Sequence, residues 1–194
     1  MSNIYDQGMP RNAANHVAIS PLTFIERAAS VYPDLPAVVH GQTRRDWATT
    51  WQRCRRLASA LERRGLGKGD TVSVMLPNVP AMFEAHFGVP LAGCVLNTLN
   101  IRLDASAIAY MLEHAETRAI LVDPEFVEVV REAIKGLDRP PLVIDVLDPE
   151  FEGQAERLGE IEYEDLLAEG DADYPYRLPE DEWDAISLNY TSGT

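Results

Sequence analysis

The fold is decided by residues 69–123, GDTVSVMLPNVPAMFEAHFGVPLAGCVLNTLNIRLDASAIAYMLEHAETRAILVD. This stretch alternates short apolar runs with longer runs that carry apolar residues at helical spacing. The runs are, in order, a strand over 70–77, a helix over 79–93, a strand over 94–99, a helix over 104–116 and a strand over 118–123. Pro90 has to kink or shorten the first helix, because proline lacks a backbone N–H. Strands that alternate with helices predict βαβ units with right-handed crossovers, so the fold class is α/β with a largely parallel sheet.

The same alternation continues on both sides of this stretch. Ser20, followed by proline, predicts the start of a helix whose apolar stripe includes Phe24. Asp46 is placed to cap a long helix that Gly65 ends. The other predicted elements are a strand–turn–strand unit over 36–48, a helix over 124–135, a strand over 141–147, a short helix around 163–169 and a last strand over 185–190.

Charge is distributed unevenly along the chain, whose net charge is -14. Residues 1–120 carry 12 basic and 10 acidic side chains, and residues 121–194 carry 5 basic and 21 acidic ones. This balance argues against a nucleic-acid surface, which needs a basic face. The sequence has neither an apolar stretch long enough for a membrane helix nor a signal-peptide pattern. With only two cysteines, we expect a cytoplasmic protein without a disulfide framework.

Three features other than the chain's last residues suggest chemistry, and each has a simpler interpretation. The glycines of 65–70, GLGKGD, follow a helix and precede a strand, which is the wrong order for a dinucleotide-binding loop, so we interpret them as a helix-ending turn. The four histidines are scattered and form no metal-binding motif; His114, near a helix end, is interpreted as a polar or capping residue. The arginine row of the second helix is expected to be a solvated face. Its members are Arg53, Arg55, Arg56, Arg63 and Arg64.

The last residues, Tyr190-Thr-Ser-Gly-Thr194, place small hydroxyl side chains and a glycine directly after a predicted strand. Hydroxyls and exposed backbone N–H groups can surround phosphate oxygens, and glycine permits a close approach. The sequence is not a Walker A loop. Taken alone, it fits either a frayed terminus or the first half of a phosphate-binding loop.

The chain resembles the adenylate-forming superfamily of acyl-CoA synthetases, adenylation domains and luciferases. Residues 190–194 match the first five positions of that superfamily's phosphate loop, approximately Y-T-S-G-T-T-G-x-P-K-G. Residues 69–123 are similar throughout, most closely at NTLNIRLD (97–104) and MLEHAE (111–116). The head of the chain is similar to one branch, which holds plant acyl-activating enzymes and bacterial short- and medium-chain acyl-CoA ligases, including methylmercaptopropionate–CoA ligase.

The resemblance implies an ATP-dependent ligase that converts a short- or medium-chain carboxylic acid to acyl-AMP and then to acyl-CoA. It implies ATP and Mg²⁺ as cofactors, CoA as co-substrate, and a homodimer as the expected assembly. The phosphate contacts would come from Thr191, Ser192, Gly193 and Thr194, and the Thr191 hydroxyl would also help to hold Mg²⁺. The loop lysine and the other catalytic groups lie downstream of Thr194 in relatives. We therefore expect an N-terminal part of a longer enzyme that is inactive by itself, with no catalytic residue to name.

Two alternatives remain open at this point. The acyl group could pass to a carrier protein rather than to CoA, or the chain could be a short non-catalytic binding or regulatory module. Within the N-terminal part of a large AMP-binding domain, we distinguish an extended arm (1–19), an α/β core (20–147), an acidic connecting segment (148–184), and a strand with the start of the phosphate loop (185–194).

Overall fold

The structure is a computed structural model that describes residue 4 and residues 7–153, 156–175 and 177–191. Its main element is a six-stranded sheet in the order β7-β6-β5-β3-β4-β8, and every neighbouring pair in it is parallel. A separate antiparallel hairpin, β1-β2, turns at Gly41. The helices are α1 (Leu22–Val31), α2 (Trp47–Arg63), α3 (Pro80–Leu91), α4 (Ala105–His114), α5 (Val127–Ile134) and α6 (Tyr163–Glu169). The strands are β1 (Pro36–His40), β2 (Thr43–Asp46), β3 (Thr71–Met75), β4 (Val95–Thr98), β5 (Thr117–Val122), β6 (Leu142–Asp145), β7 (Ile161–Glu162) and β8 (Ser187–Leu188).

The order of the strands follows from the directions of the crossovers. The chain passes from β3 to β4 through α3 on one face of the sheet, and from β5 to β6 in the opposite direction through α5 on the other face. Right-handed crossovers that run in opposite directions lie on opposite faces, so both faces are covered. The α/β class and the parallel sheet predicted from residues 69–123 are confirmed.

Each face of the sheet has its own apolar core. Val72 and Val74 of β3 pack with α2, α3 and α6, whereas Met75 packs with α4 and α5. Strand residues alternate between faces, so one strand supplies both cores. Helices α2 and α3 approach closely because Gly88 has no side chain; a Cβ there would lie 2.7 Å from Cδ2 of Leu57.

Most of the predicted helix boundaries are confirmed. Asp46 Oδ1 accepts a hydrogen bond from the N–H of Thr49 at 2.7 Å, and α3 ends at Leu91, one residue after Pro90. Helix α5 starts later than expected, because Pro124–Phe126 form a 3-10 turn.

Phe24 is not part of the buried stripe of α1, and that prediction was wrong. Its side chain is 72% exposed, whereas Leu22 and Ile25 are buried. Helix α1 rests on its neighbours through a narrow stripe only, in which Leu22 contacts Ala58, Leu91 and Tyr174. Residues next to this stripe, such as Phe24, point away from the contact.

The arginine row of α2 is not a solvated face, and that interpretation was also wrong. The row binds α6 and the chain that follows it, which belong to the acidic part of the sequence. Arg53 donates to both carboxylate oxygens of Glu164, at 2.8 and 2.6 Å. The other contacts are Arg55 to the carbonyl of Tyr174, Arg56 to the carbonyl of Gly170, Arg63 to the carbonyl of Glu169 and Arg64 to the carboxylate of Glu169.

A buried carboxylate joins the hairpin, α2, α3 and α6. Glu84 of α3 is fully buried and accepts hydrogen bonds from Arg45 at 2.8 Å, Arg53 at 2.6 Å and the hydroxyl of Tyr163 at 2.8 Å. Burial alone would lower the pKa of Arg53, but its hydrogen bonds to Glu164 and Glu84 raise it above the usual value. Burial, and then the charge of Glu84, raise the pKa of Tyr163. Within this network, Arg53 therefore stays a cation and Tyr163 a neutral phenol.

Candidate functional site

Strand β8 brings the end of the described chain to one edge of the sheet. It pairs in parallel with β4, with Leu96 opposite Ser187 and Asn97 opposite Leu188. The N–H of Leu96 also donates to the carbonyl of Ile186 at 3.0 Å. Since β8 is parallel to the rest of the sheet, the residues after it leave from the carboxyl edge, where open α/β sheets bind ligands.

Side-chain contacts fix the chain before and after β8. Lys68 and Asp184 form an ion pair of 2.8 Å before the strand. After it, the Thr98 hydroxyl donates to Asn189 Oδ1 at 3.3 Å. The hydroxyl of Tyr190 lies 2.8 Å from Nδ1 of His114 and donates to the carbonyl of Met111 at 3.3 Å.

Of the four residues predicted to contact phosphate, the structure describes Thr191. It is exposed, and it lies three residues beyond the end of β8 at the carboxyl edge. Ser192, Gly193 and Thr194 lie outside the described residues. The phosphate contacts of all four residues and the Mg²⁺ contact of Thr191 therefore stay predictions.

Tyr190 presents a neutral hydroxyl beside Thr191. Burial, and then the nearby Tyr110, raise the pKa of Tyr190 above its usual value, so the phenol stays protonated at neutral pH. Its ring meets the ring of His114 edge to face at 5.8 Å, and His114 stacks on Tyr110 at 5.5 Å. His114 is thus more than the polar or capping residue that the sequence predicted, because it contacts the residue that precedes the candidate loop.

A buried polar chain crosses the sheet from β4, the neighbour of β8, through β3 to β5, and sequence reasoning did not predict it. Asn97 of β4 donates through Nδ2 to Ser73 Oγ at 2.9 Å, and Ser73 Oγ lies 2.8 Å from the hydroxyl of Thr117. Asn97 Oδ1 has no hydrogen-bond partner within the part of the chain that the structure describes. The only sequence signal was that Asn97 opens the NTLNIRLD segment.

The described ranges contain no group of three His, Cys, Asp or Glu side chains that could hold a metal ion. His40 instead contacts Asp148, with Nε2 at 3.0 and 2.9 Å from the two carboxylate oxygens.

The fold and the site define an open α/β protein whose candidate phosphate loop leaves the carboxyl edge of a parallel sheet. Residues 25–194 match the family model described as AMP-binding enzyme, and the chain belongs to that family. It is similar to an acetate–CoA ligase of Humulus lupulus, with 47% identity over 197 residues covering 96% of this chain and 35% of that protein. It is also similar to a peroxisomal acetate/butyrate–CoA ligase of Arabidopsis thaliana, with 46% identity and the same coverage.

Solved structures show the same fold. The chain superposes on an anthranilate–CoA ligase in complex with anthranoyl-AMP with a TM-score of 0.79 and 19% identity, covering 89% of this chain and 32% of that one. It superposes on the N-terminal domain of a Mycobacterium tuberculosis protein, FACL13, with a TM-score of 0.71 and 24% identity, covering 88% of this chain and 41% of that one. The chain spans about a third of the length of the curated relatives it matches.

No helix within the described residues is long and apolar enough to cross a membrane.

Proposed function

We propose that the protein containing this chain is an ATP-dependent acid–thiol ligase for a short- or medium-chain carboxylic acid. The observation that carries the proposal is the similarity over nearly the whole chain to ligases named for acetate and butyrate. Several other relatives are named for small acids too, among them 2-methylpropanoate and benzoate. The substrate class is therefore a small monocarboxylic acid, with ATP and CoA as the other reactants.

The reaction has two steps. The carboxylate attacks the α-phosphorus of ATP, the bond to the pyrophosphate group breaks, and acyl-AMP forms. The thiol of CoA then attacks the acyl carbon, loses its proton and displaces AMP. Both reactants of the first step are anions, so donors and Mg²⁺ have to neutralise charge while the reactants are held in line.

The candidate loop supplies donors rather than charge. A net charge of -14 gives this chain no long-range attraction for a polyanion, and Thr191 contributes a neutral hydroxyl. Backbone N–H groups and hydroxyls of residues 191–194 would contact the β- and γ-phosphates at short range, and Mg²⁺, when bound, would offset the phosphate charge. Cationic groups from the rest of the protein would complete the site.

The further parts of the proposal concern the whole protein. The chain is an N-terminal part of the large AMP-binding domain, divided after residues 19, 147 and 184 as described above. It is inactive alone, because residues outside this chain contribute the rest of the site. A homodimer is the proposed assembly. A cytoplasmic location is also proposed, although five of the relatives compared are named as peroxisomal.

The Thr191 hydroxyl provides the test. In the full-length protein, Thr191→Ala should lower acid-dependent release of pyrophosphate from ATP by about tenfold or more, the effect of removing one donor to a charged group. Ser187→Ala is the matched control, because it removes an exposed hydroxyl from β8 in the same segment. Equal activity of the two variants would remove Thr191 from the phosphate site.

A further inference from the structure

Tyr190 is attached to α4 immediately before the candidate phosphate loop. Its hydroxyl lies between His114 Nδ1 and the carbonyl of Met111, and the three residues are here called the Tyr190 latch. One proton arrangement satisfies both contacts: the hydroxyl donates to the carbonyl of Met111 and accepts a hydrogen bond from the Nδ1–H of His114. His114 and Tyr190 are 76 residues apart in sequence, so this contact is a tertiary one.

The sheet alone constrains the loop weakly. Strand β8 pairs with β4 at only two positions, Ser187 and Leu188, and Thr191 lies three residues further on. Each backbone hydrogen bond between paired strands fixes only the residues next to it. The direction of the chain after residue 188 therefore depends on side-chain contacts. The contacts described at that point are those of Asn189 with Thr98 and of Tyr190 with the latch.

The latch connects Tyr190 to a helix that packs into one of the two cores. Ile108 and Leu112 of α4 are buried in the core between α4, α5 and the sheet. His114 is the last residue of that helix, and its ring is stacked on Tyr110, with 21° between the ring planes. The imidazole is therefore held in orientation by the helix and by a neighbouring ring before it contacts Tyr190.

We propose that His114 is a positioning residue for the nucleoside triphosphate: through Tyr190 it sets where the hydroxyl of Thr191 meets the phosphates. This proposal rests on the proposed function. His114 acts only through Tyr190, so its removal should weaken use of ATP and leave the use of the carboxylic acid unchanged. His114 and Tyr190 act together, so replacing both should weaken the use of ATP no more than replacing one of them.

The first experiment is kinetic and uses the full-length protein. Tyr190→Phe removes the hydroxyl, and His114→Phe removes the donor while keeping an aromatic ring against Tyr110. Each variant should raise KM for ATP about threefold to tenfold, the size of one neutral hydrogen bond, with KM for the acid unchanged. The double variant should have the same KM for ATP as the single variants. His114→Asn retains a donor near the position of Nδ1, so its KM for ATP should stay close to that of the wild-type protein.

A matched control separates the latch from the general loss of a histidine. His86 is an exposed histidine on α3 whose Nδ1 lies 2.7 Å from the carbonyl of Met82 in its own helix, so His86→Phe should leave both KM values unchanged. Additive effects of Tyr190→Phe and His114→Phe, or equal effects on the KM values for ATP and acid, would overturn the proposal.

The second experiment does not depend on activity. Hydrogen exchange of the amides of residues 189–191 in the full-length protein should accelerate in Tyr190→Phe and His114→Phe, and should not change in His86→Phe. Unchanged exchange in the first two variants overturns the latch even if the enzyme is active. A wild-type protein that shows no acid-dependent release of pyrophosphate refutes the proposed function, and the exchange rates still decide whether the latch exists.

Discussion

Replacing Glu84 with glutamine tests the buried network most severely. The substitution keeps the size of the side chain and its carbonyl oxygen, but it removes the charge that Arg45 and Arg53 share. Glu84 is fully buried, and the side chains of the two arginines are 21% and 15% exposed. The variant therefore leaves two guanidinium groups with one fewer anion in a poorly solvated place.

The size of the effect follows from what remains after the substitution. Removing one partner of a buried ion pair costs about 3–5 kcal/mol of unfolding free energy. Arg53 keeps its two bonds to Glu164, and Arg45 retains some access to water. We therefore expect a loss near the lower limit, about 3 kcal/mol, which is a large part of the ~5–15 kcal/mol that stabilises a typical domain.

Denaturant unfolding of the full-length protein measures this loss, followed at the transition of the domain that contains α3. Glu164→Gln is the matched control: it removes the other carboxylate bound to Arg53, but Glu164 is 54% exposed, so the cost should stay below about 1 kcal/mol. Equal losses in the two variants, or no loss in Glu84→Gln, would refute the reasoning that burial makes this carboxylate important.

Two further predictions concern close packing and the thiols. A Cβ at Gly170 would overlap the backbone carbonyl of Arg56, so Gly170→Ala should lower the unfolding free energy by about 1–3 kcal/mol, whereas Gly136→Ala, with open space around it, should be nearly neutral in the same denaturant titration. Burial, and then the charge of Asp70, raise the pKa of Cys94 to about 12, and burial raises that of Cys54 well above its usual value. Neither thiol should react with iodoacetamide at pH 8 until the protein is denatured; rapid labelling of the native protein would contradict this.

The sheet was predictable from the sequence because its signal is local. The strands and helices of 69–123 are recognisable from apolar runs and spacing, and the cap at Asp46 from its position before an apolar periodic run. The length of the last strand was not predictable in this way. An apolar run over 185–190 predicts six residues, but the strand extends only as far as its pairing with β4, which covers Ser187 and Leu188.

The roles of charged residues depended on partners far away in sequence. The arginines of α2 lie opposite its apolar stripe, which fits a solvated face and equally a face that binds another segment. Their partners lie 105 to 119 residues further along the chain and could not be read from the helix itself. Glu84 lies in an apolar run, and nothing near it in sequence indicates that Arg45, Arg53 and Tyr163 surround it.

The candidate site was located by resemblance to a family motif. The side-chain contacts that hold the chain in place before it could not be found in this way. The residues 190–194 were recognised by their match to a phosphate loop, and the parallel pairing of β8 places Thr191 at the carboxyl edge, where such a loop belongs. The contact between Tyr190 and His114 depends on how α4 packs against the sheet, which no local pattern encodes.

Exchange of labelled pyrophosphate into ATP by the full-length protein, with acetate or butyrate as the acid, tests the central proposal most directly. We expect exchange that requires the acid and Mg²⁺, with AMP and acyl-CoA appearing once CoA is added. Failure to exchange with any small carboxylic acid, or formation of ADP and phosphate instead of AMP and pyrophosphate, would contradict it.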